Sequence, residues 1–60
     1  MAIFKENGEI TMRGEIVSTY TKGDEVQVIK EDEGLLQVIV LNGKSEGRVA
    51  YINPELIENL

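Results

Sequence analysis

The stretch Leu35-Leu36-Gln37-Val38-Ile39-Val40-Leu41, uncharged throughout and followed at once by Asn42-Gly43, restricts the chain more than any other feature. Asn-Gly is the preferred pair for a two-residue type I′ hairpin turn, because both turn positions need positive φ. A turn that tight sets Leu41 opposite Lys44, with Ile39–Glu46, Gln37–Arg48 and Leu36–Val49 following along the ladder. Period-2 alternation then sorts the faces. Leu36, Val38, Val40 and Val49 share one face with Ser45 and Gly47. Leu35, Ile39 and Leu41 share the other with Lys44, Glu46 and Arg48. The charged company makes the second face the wetter one, so the first is the expected core. A longer, bulged turn would move the register by a residue and exchange the two sets.

Other segments carry weaker signals of the same kind. Six glycines, at 8, 14, 23, 34, 43 and 47, separate short β-rich runs at the spacing of an all-β barrel or sandwich. Glu25-Val26-Gln27-Val28-Ile29-Lys30 alternates, with Val26 and Val28 expected inward, and Glu31-Asp32-Glu33-Gly34 forms the loop that follows. Asn7-Gly8 either closes a hairpin between Ile3-Phe4-Lys5 and Ile10-Thr11-Met12 or forms the tip of a long irregular loop. At the C-terminus Asn53 suits an N-cap, Pro54 the first helical position and Glu55 the positive end of the dipole. Ile52 and Ile57 fit a hydrophobic staple. The segment therefore predicts one helical turn from Pro54 to about Asn59.

Composition removes most chemistry. The chain has 60 residues, which allows one domain over residues 1–60, and neither His nor Cys. Disulfides, thiolate or imidazole metal sites and Cys–His or Ser–His–Asp catalysis are excluded with them. A domain this small buries only about 60% of the surface its unfolded chain exposes, which leaves little room for a deep active site. Six Lys and Arg face eleven Asp and Glu, for a net charge of −5. That balance disfavours nucleic acid and anionic membranes, since both are bound through clustered cations. No apolar run approaches the roughly 18 residues of a spanning helix, and Met1-Ala2-Ile3-Phe4-Lys5-Glu6, with neither a basic leader nor a long apolar stretch, is not expected to be a secretory signal. The expected location is cytoplasmic, with no cofactor and no metal.

Taken together the segments resemble the Src-homology-3 (SH3) fold, a five-stranded small barrel. Ala2-Ile3-Phe4-Lys5-Glu6 stands where that family has its Ala-Leu-Tyr-Asp-Tyr strand. The run from Tyr20 through Lys22-Gly23-Asp24 to Ile29 is similar to the family's Lys-Lys-Gly-Asp block and next strand. Leu35 to Val40 occupies the Trp-Trp strand, Asn42-Gly43 the distal turn, and Gly47-Arg48-Val49-Ala50 the Gly-x-Val-Pro step. Looser prokaryotic SH3-like domains, with Gly-Asp-x-Val and Asn-Gly-Lys-x-Gly-x-Val patterns, are at least as similar. The resemblance implies an all-β, SH3-like five-stranded barrel with one short C-terminal helical turn. It does not carry the family's proline-rich ligand across. That ligand docks on aromatic rings, and of these only Phe4 remains. Glu6 replaces the second tyrosine, Leu35 the ligand-stacking tryptophan and Ala50 the groove proline.

The carboxylates at Asp24-Glu25, Glu31-Asp32-Glu33, Glu9 and Glu15 fall in or near expected loops, where solvated acids are ordinary, and the spacing is not that of a calcium loop. Tyr20 and Tyr51 read as rings packed at the core edge. The oddity is the outer face: Leu35, Ile39 and Leu41 project away from the core in an uncharged strand, an aggregation hazard unless covered by the long first loop of the chain itself or by a second chain. The expected function is a non-enzymatic protein-interaction module whose contact surface is Phe4, Leu35, Ile39 and Leu41, rimmed by Glu6, Glu31, Asp32 and Glu33. Its partner is another protein or a second copy. The rival readings are a nucleic-acid-binding barrel of the Tudor or KOW type and a structural or redesigned SH3 module without a ligand.

Overall fold

Two positive-φ pairs, Arg13-Gly14 (φ 54° and 81°) and Glu33-Gly34 (φ 52° and 83°), make the tight turns of this protein. Each joins directly paired residues, Met12 to Glu15 and Asp32 to Leu35, as two-residue type I′ hairpins do. A computed structural model describes all 60 residues. Its strands are β1 (Ile3–Phe4), β2 (Gly8–Met12), β3 (Glu15–Tyr20), β4 (Val26–Asp32), β5 (Leu35–Val40), β6 (Val49–Ile52) and β7 (Ile57–Glu58), with a 3₁₀ turn at Pro54–Leu56. They form three antiparallel sheets: β1 with β7, β2 with β3, and the three-stranded order β4-β5-β6. The chain is all-β, in seven strands that do not close into one continuous barrel.

The expected turn at Asn42-Gly43 is not there. Strand β5 pairs Ile39 with Val49, Val38 with Ala50, Gln37 with Tyr51 and Leu36 with Ile52. Every partner therefore lies three residues further along than a tight turn would place it. An odd shift reverses the faces of the second strand, so Ala50 and Ile52 are buried and Val49 is exposed. Asn42 does not take the positive φ that a type I′ turn needs at both positions, and its side chain bonds elsewhere. Its Oδ1 accepts from the Glu25 N–H (3.0 Å) and its Nδ2 donates to Glu25 Oε1 (2.9 Å), which ties it to the chain entering β4. Gly43 has φ 83°, and a Cβ there would overlap the Asp24 carboxylate. Residues 41–48 instead form a longer loop with their own hydrogen bonds, including Arg48 N–H to Ser45 O (2.9 Å) and Gly47 N–H to Val40 O (2.8 Å).

Two further expectations are corrected. Asn7-Gly8 closes no hairpin: Gly8 lies within β2, and β1 pairs with β7 through Phe4 and Ile57. The C-terminal helical turn stops after Leu56. Asn53 caps it as expected, accepting from the Glu55 N–H (3.0 Å), but Ile57 then turns extended and buries its side chain beside Phe4's strand.

Strand β1 is held from both sides. Phe4 N–H donates to Asp24 O (3.0 Å), Gly23 N–H to Phe4 O (2.9 Å) and Lys5 N–H to Leu56 O (2.9 Å). The core gathers Phe4, Ile10, Tyr20, Val26, Leu36, Val38, Val40, Ala50, Ile52 and Ile57 into one cluster. Its aromatic centre is the Phe4–Tyr20 stack, with centroids 3.7 Å apart and planes at 14°. Burial of each large side chain stabilises the fold by roughly 1.5–3 kcal/mol before entropy is charged. The single buried polar residue, Ser45, donates its hydroxyl proton to Thr19 O (2.6 Å). The 2.6 Å contact between the Ser18 and Ser45 hydroxyls must then run with Ser18 as donor, since Ser45 has only one proton to give. This pair fastens loop 41–48 to β3.

Candidate interaction surface

Register decides what the β4-β5-β6 sheet shows to solvent. Along β5, Leu36, Val38 and Val40 point into the core, so Leu35, Gln37 and Ile39 point out, and Leu41 follows by alternation. Directly opposite them stand Val49 and Tyr51 on β6, and Gln27 and Asp32 on β4. The bulge in β4 sets Ile29 and Lys30 together against Gln37, which adds both to the same side. Ile29, Leu35, Leu41, Val49 and Tyr51 are five of the nine exposed large hydrophobics of the chain. They cluster on this one face around a half-buried Ile39. The Tyr51 hydroxyl, 55% exposed with its ring, accepts from Gln37 Nε2 (3.4 Å).

The expected site residues are only partly brought together. Leu35, Ile39 and Leu41 lie on the outer face. Phe4 does not: it is 0% exposed, sealed beneath the Tyr20 ring, because β1 sits between the start of β4 and β7. Asp32 shares the face of Leu35, its cross-strand partner. Glu31 pairs with the inward-pointing Leu36 and by alternation takes the opposite side, while Glu33 occupies the turn itself. Glu6 is exposed in the β1–β2 connection and acts on Tyr20. Burial first, and the Glu6 charge second, push the Tyr20 phenol above its ordinary value of 10.0. Missing from the expected set are Ile29, Val49 and Tyr51. The apolar character of all three is plain in the sequence, but their side depends on the β4 bulge and the three-residue displacement of β6. No group of three or more acidic side chains comes close enough to share a metal ion.

Beside this face runs a groove of about 290 Å³ between β2 and β6. Ile10 and Met12 line one wall, Val49 and Tyr51 the other, and Glu9 is its one charged lining residue. A second depression, of about 500 Å³, lies over Asn7, Gly8, Glu9, Thr19 and Thr21 beside Tyr20 and is lined mainly by polar residues. No helix is long and apolar enough to cross a membrane. Comparison with protein-family models, with curated proteins and with solved structures finds no match.

Proposed function

We propose that this chain is a non-enzymatic protein-interaction module of SH3-like build, which holds its partner on the outer face of the β4-β5-β6 sheet. The SH3-like reading is supported by the order of the parts. Paired terminal strands enclose a long hairpin after β1, a three-stranded meander and a 3₁₀ turn before the last strand. The observation that carries the interaction reading is the clustering of Ile29, Leu35, Leu41, Val49 and Tyr51 around Ile39 on one sheet face. Covering them contributes about 1.5–3 kcal/mol for each side chain fully buried, before the cost of association. Tyr51 is the natural anchor, since a ring with one polar end is the kind of residue on which interface energy concentrates. The net charge of −5 favours a basic partner through faster encounter, while on the face itself Asp32 and Lys30 offset each other. The ring-lined proline groove is not part of the reading, because Phe4 is sealed inside.

The test compares the parent with a Leu35→Ser, Ile39→Ser variant, using light scattering after size exclusion at several concentrations. The same two proteins are then titrated with a purified partner identified by crosslinking. The reading expects self-association or partner binding in the parent and its loss in a variant that stays folded. A monomeric parent, together with unchanged partner binding in the variant, would refute it.

A further inference from the structure

We infer that the groove between β2 and β6 takes an extended, basic segment of a partner protein as an added β-strand. The inference rests on the interaction reading above and narrows the partner to a strand. Both walls are sheet edges, β6 being the outer strand of its sheet and β2 an unpaired side of its hairpin. Val40 N–H donates to Arg48 O (2.9 Å), and hydrogen-bonded pairs alternate along an antiparallel ladder. Ala50 and Ile52 therefore turn their N–H and C=O groups to β5, and Val49 and Tyr51 turn theirs away from it, toward the groove. The run Val49-Ala50-Tyr51-Ile52 contains no charge, proline or glycine, the usual devices that protect an edge. A row of free backbone donors and acceptors, with apolar side-chain seats on both sides, is complementary to an extended backbone.

Charge selects among strands. The only charged residue lining the groove is an acid, Glu9, on a chain of net charge −5. A second copy would bring the same acid and the same −5, whereas a segment carrying lysine or arginine meets the opposite sign.

The probe is the capped peptide Lys-Val-Thr-Val-Lys-Val-Lys, titrated into the isotope-labelled full chain and followed by amide shifts and hydrogen exchange. At saturation the Val49 and Tyr51 amides are expected to exchange about tenfold slower or more, as ladder amides do. The same peptide methylated on alternate backbone nitrogens loses the binding, and a version with Glu for each Lys binds more weakly at low salt. Tyr51→Pro abolishes binding without unfolding, since that N–H serves no partner in β5 and proline is accepted on edges. Should that variant unfold, the methylated peptide decides. The inference is overturned by equal binding of the methylated peptide, or by no binding at millimolar peptide. A parent that dimerises with Val49 and Tyr51 already protected also overturns it, the occupant then being a second copy. Shifts confined to Leu35, Ile39 and Leu41 would support the sheet-face reading and remove the groove from it. Loss of partner binding in Leu35→Ser, Ile39→Ser tests that face separately.

Discussion

Gly8 and Tyr20 are cross-strand partners in β2 and β3, and the ring lies so close over the glycine that a Cβ at position 8 would overlap the phenol carbon and oxygen. Tyr20 is stacked on its other side by Phe4, so the ring cannot step aside without breaking the aromatic centre of the core. Gly8 does not have a positive φ, and alanine in a strand normally gains about 0.5–1 kcal/mol over glycine. Here overpacking wins. Gly8→Ala is expected to destabilise by about 1–3 kcal/mol, seen as a lower urea midpoint with an altered near-ultraviolet tyrosine signal.

Ser45 gives a second test of the core. Ser45→Ala leaves the Thr19 carbonyl and the Ser18 hydroxyl without their partner at a part-buried contact, which costs about 1–2 kcal/mol. Ser18→Ala removes only the outer of the two bonds and should cost clearly less. Equal losses in denaturant unfolding would mean that the proton order deduced for this pair is reversed.

The tight turns are made by Arg13-Gly14 and Glu33-Gly34, where a side chain with a Cβ bears the left-handed conformation. Asparagine adopts it more readily, so Arg13→Asn and Glu33→Asn should each stabilise by about 0.5–1 kcal/mol, part of the roughly 1–2 kcal/mol left-handed cost. Asn42→Ala should do the reverse. It frees the Glu25 N–H and carboxylate and lowers stability by about 1–2 kcal/mol. Urea midpoints of the three variants check the opposite signs.

Alkaline pH should weaken the fold through Tyr20. Burial, then the charge of Glu6, holds its phenol protonated to higher pH in the folded chain than the ordinary value of 10.0. Between the unfolded and folded values the unfolded chain binds fewer protons, so stability falls as pH rises, by at most about 1.4 kcal/mol per unit. The loss begins near pH 10 and ends once the folded phenol has also ionised. Unfolding free energies measured from pH 8 to 11 should slope less steeply in Tyr20→Phe than in the parent.

Local patterns were readable from the residues alone. The inward set Leu36, Val38 and Val40 follows from period-2 alternation, and the Asn53 cap with Glu55 behind it follows from side-chain chemistry within three residues. The all-β class follows from the same short-range signals. The geometry of the surface did not. Asn-Gly was the best hairpin pair in the chain, yet Asn42 is held by Glu25, 17 residues away, and the tight turns formed where Arg13 and Glu33 precede glycine. With Asn42 so held, β6 pairs three residues further along than a tight turn would place it, and Val49 and Tyr51 are exposed beside the groove.

Phe4 shows the same division. Its sequence position fits an opening strand, but its burial depends on Tyr20 above it and Ile57 beside it. Alternation and capping act over a few residues and are written into the chain. Register, edges and the side a ring faces are set by which remote group satisfies a hydrogen bond, and only the folded chain brings those groups together.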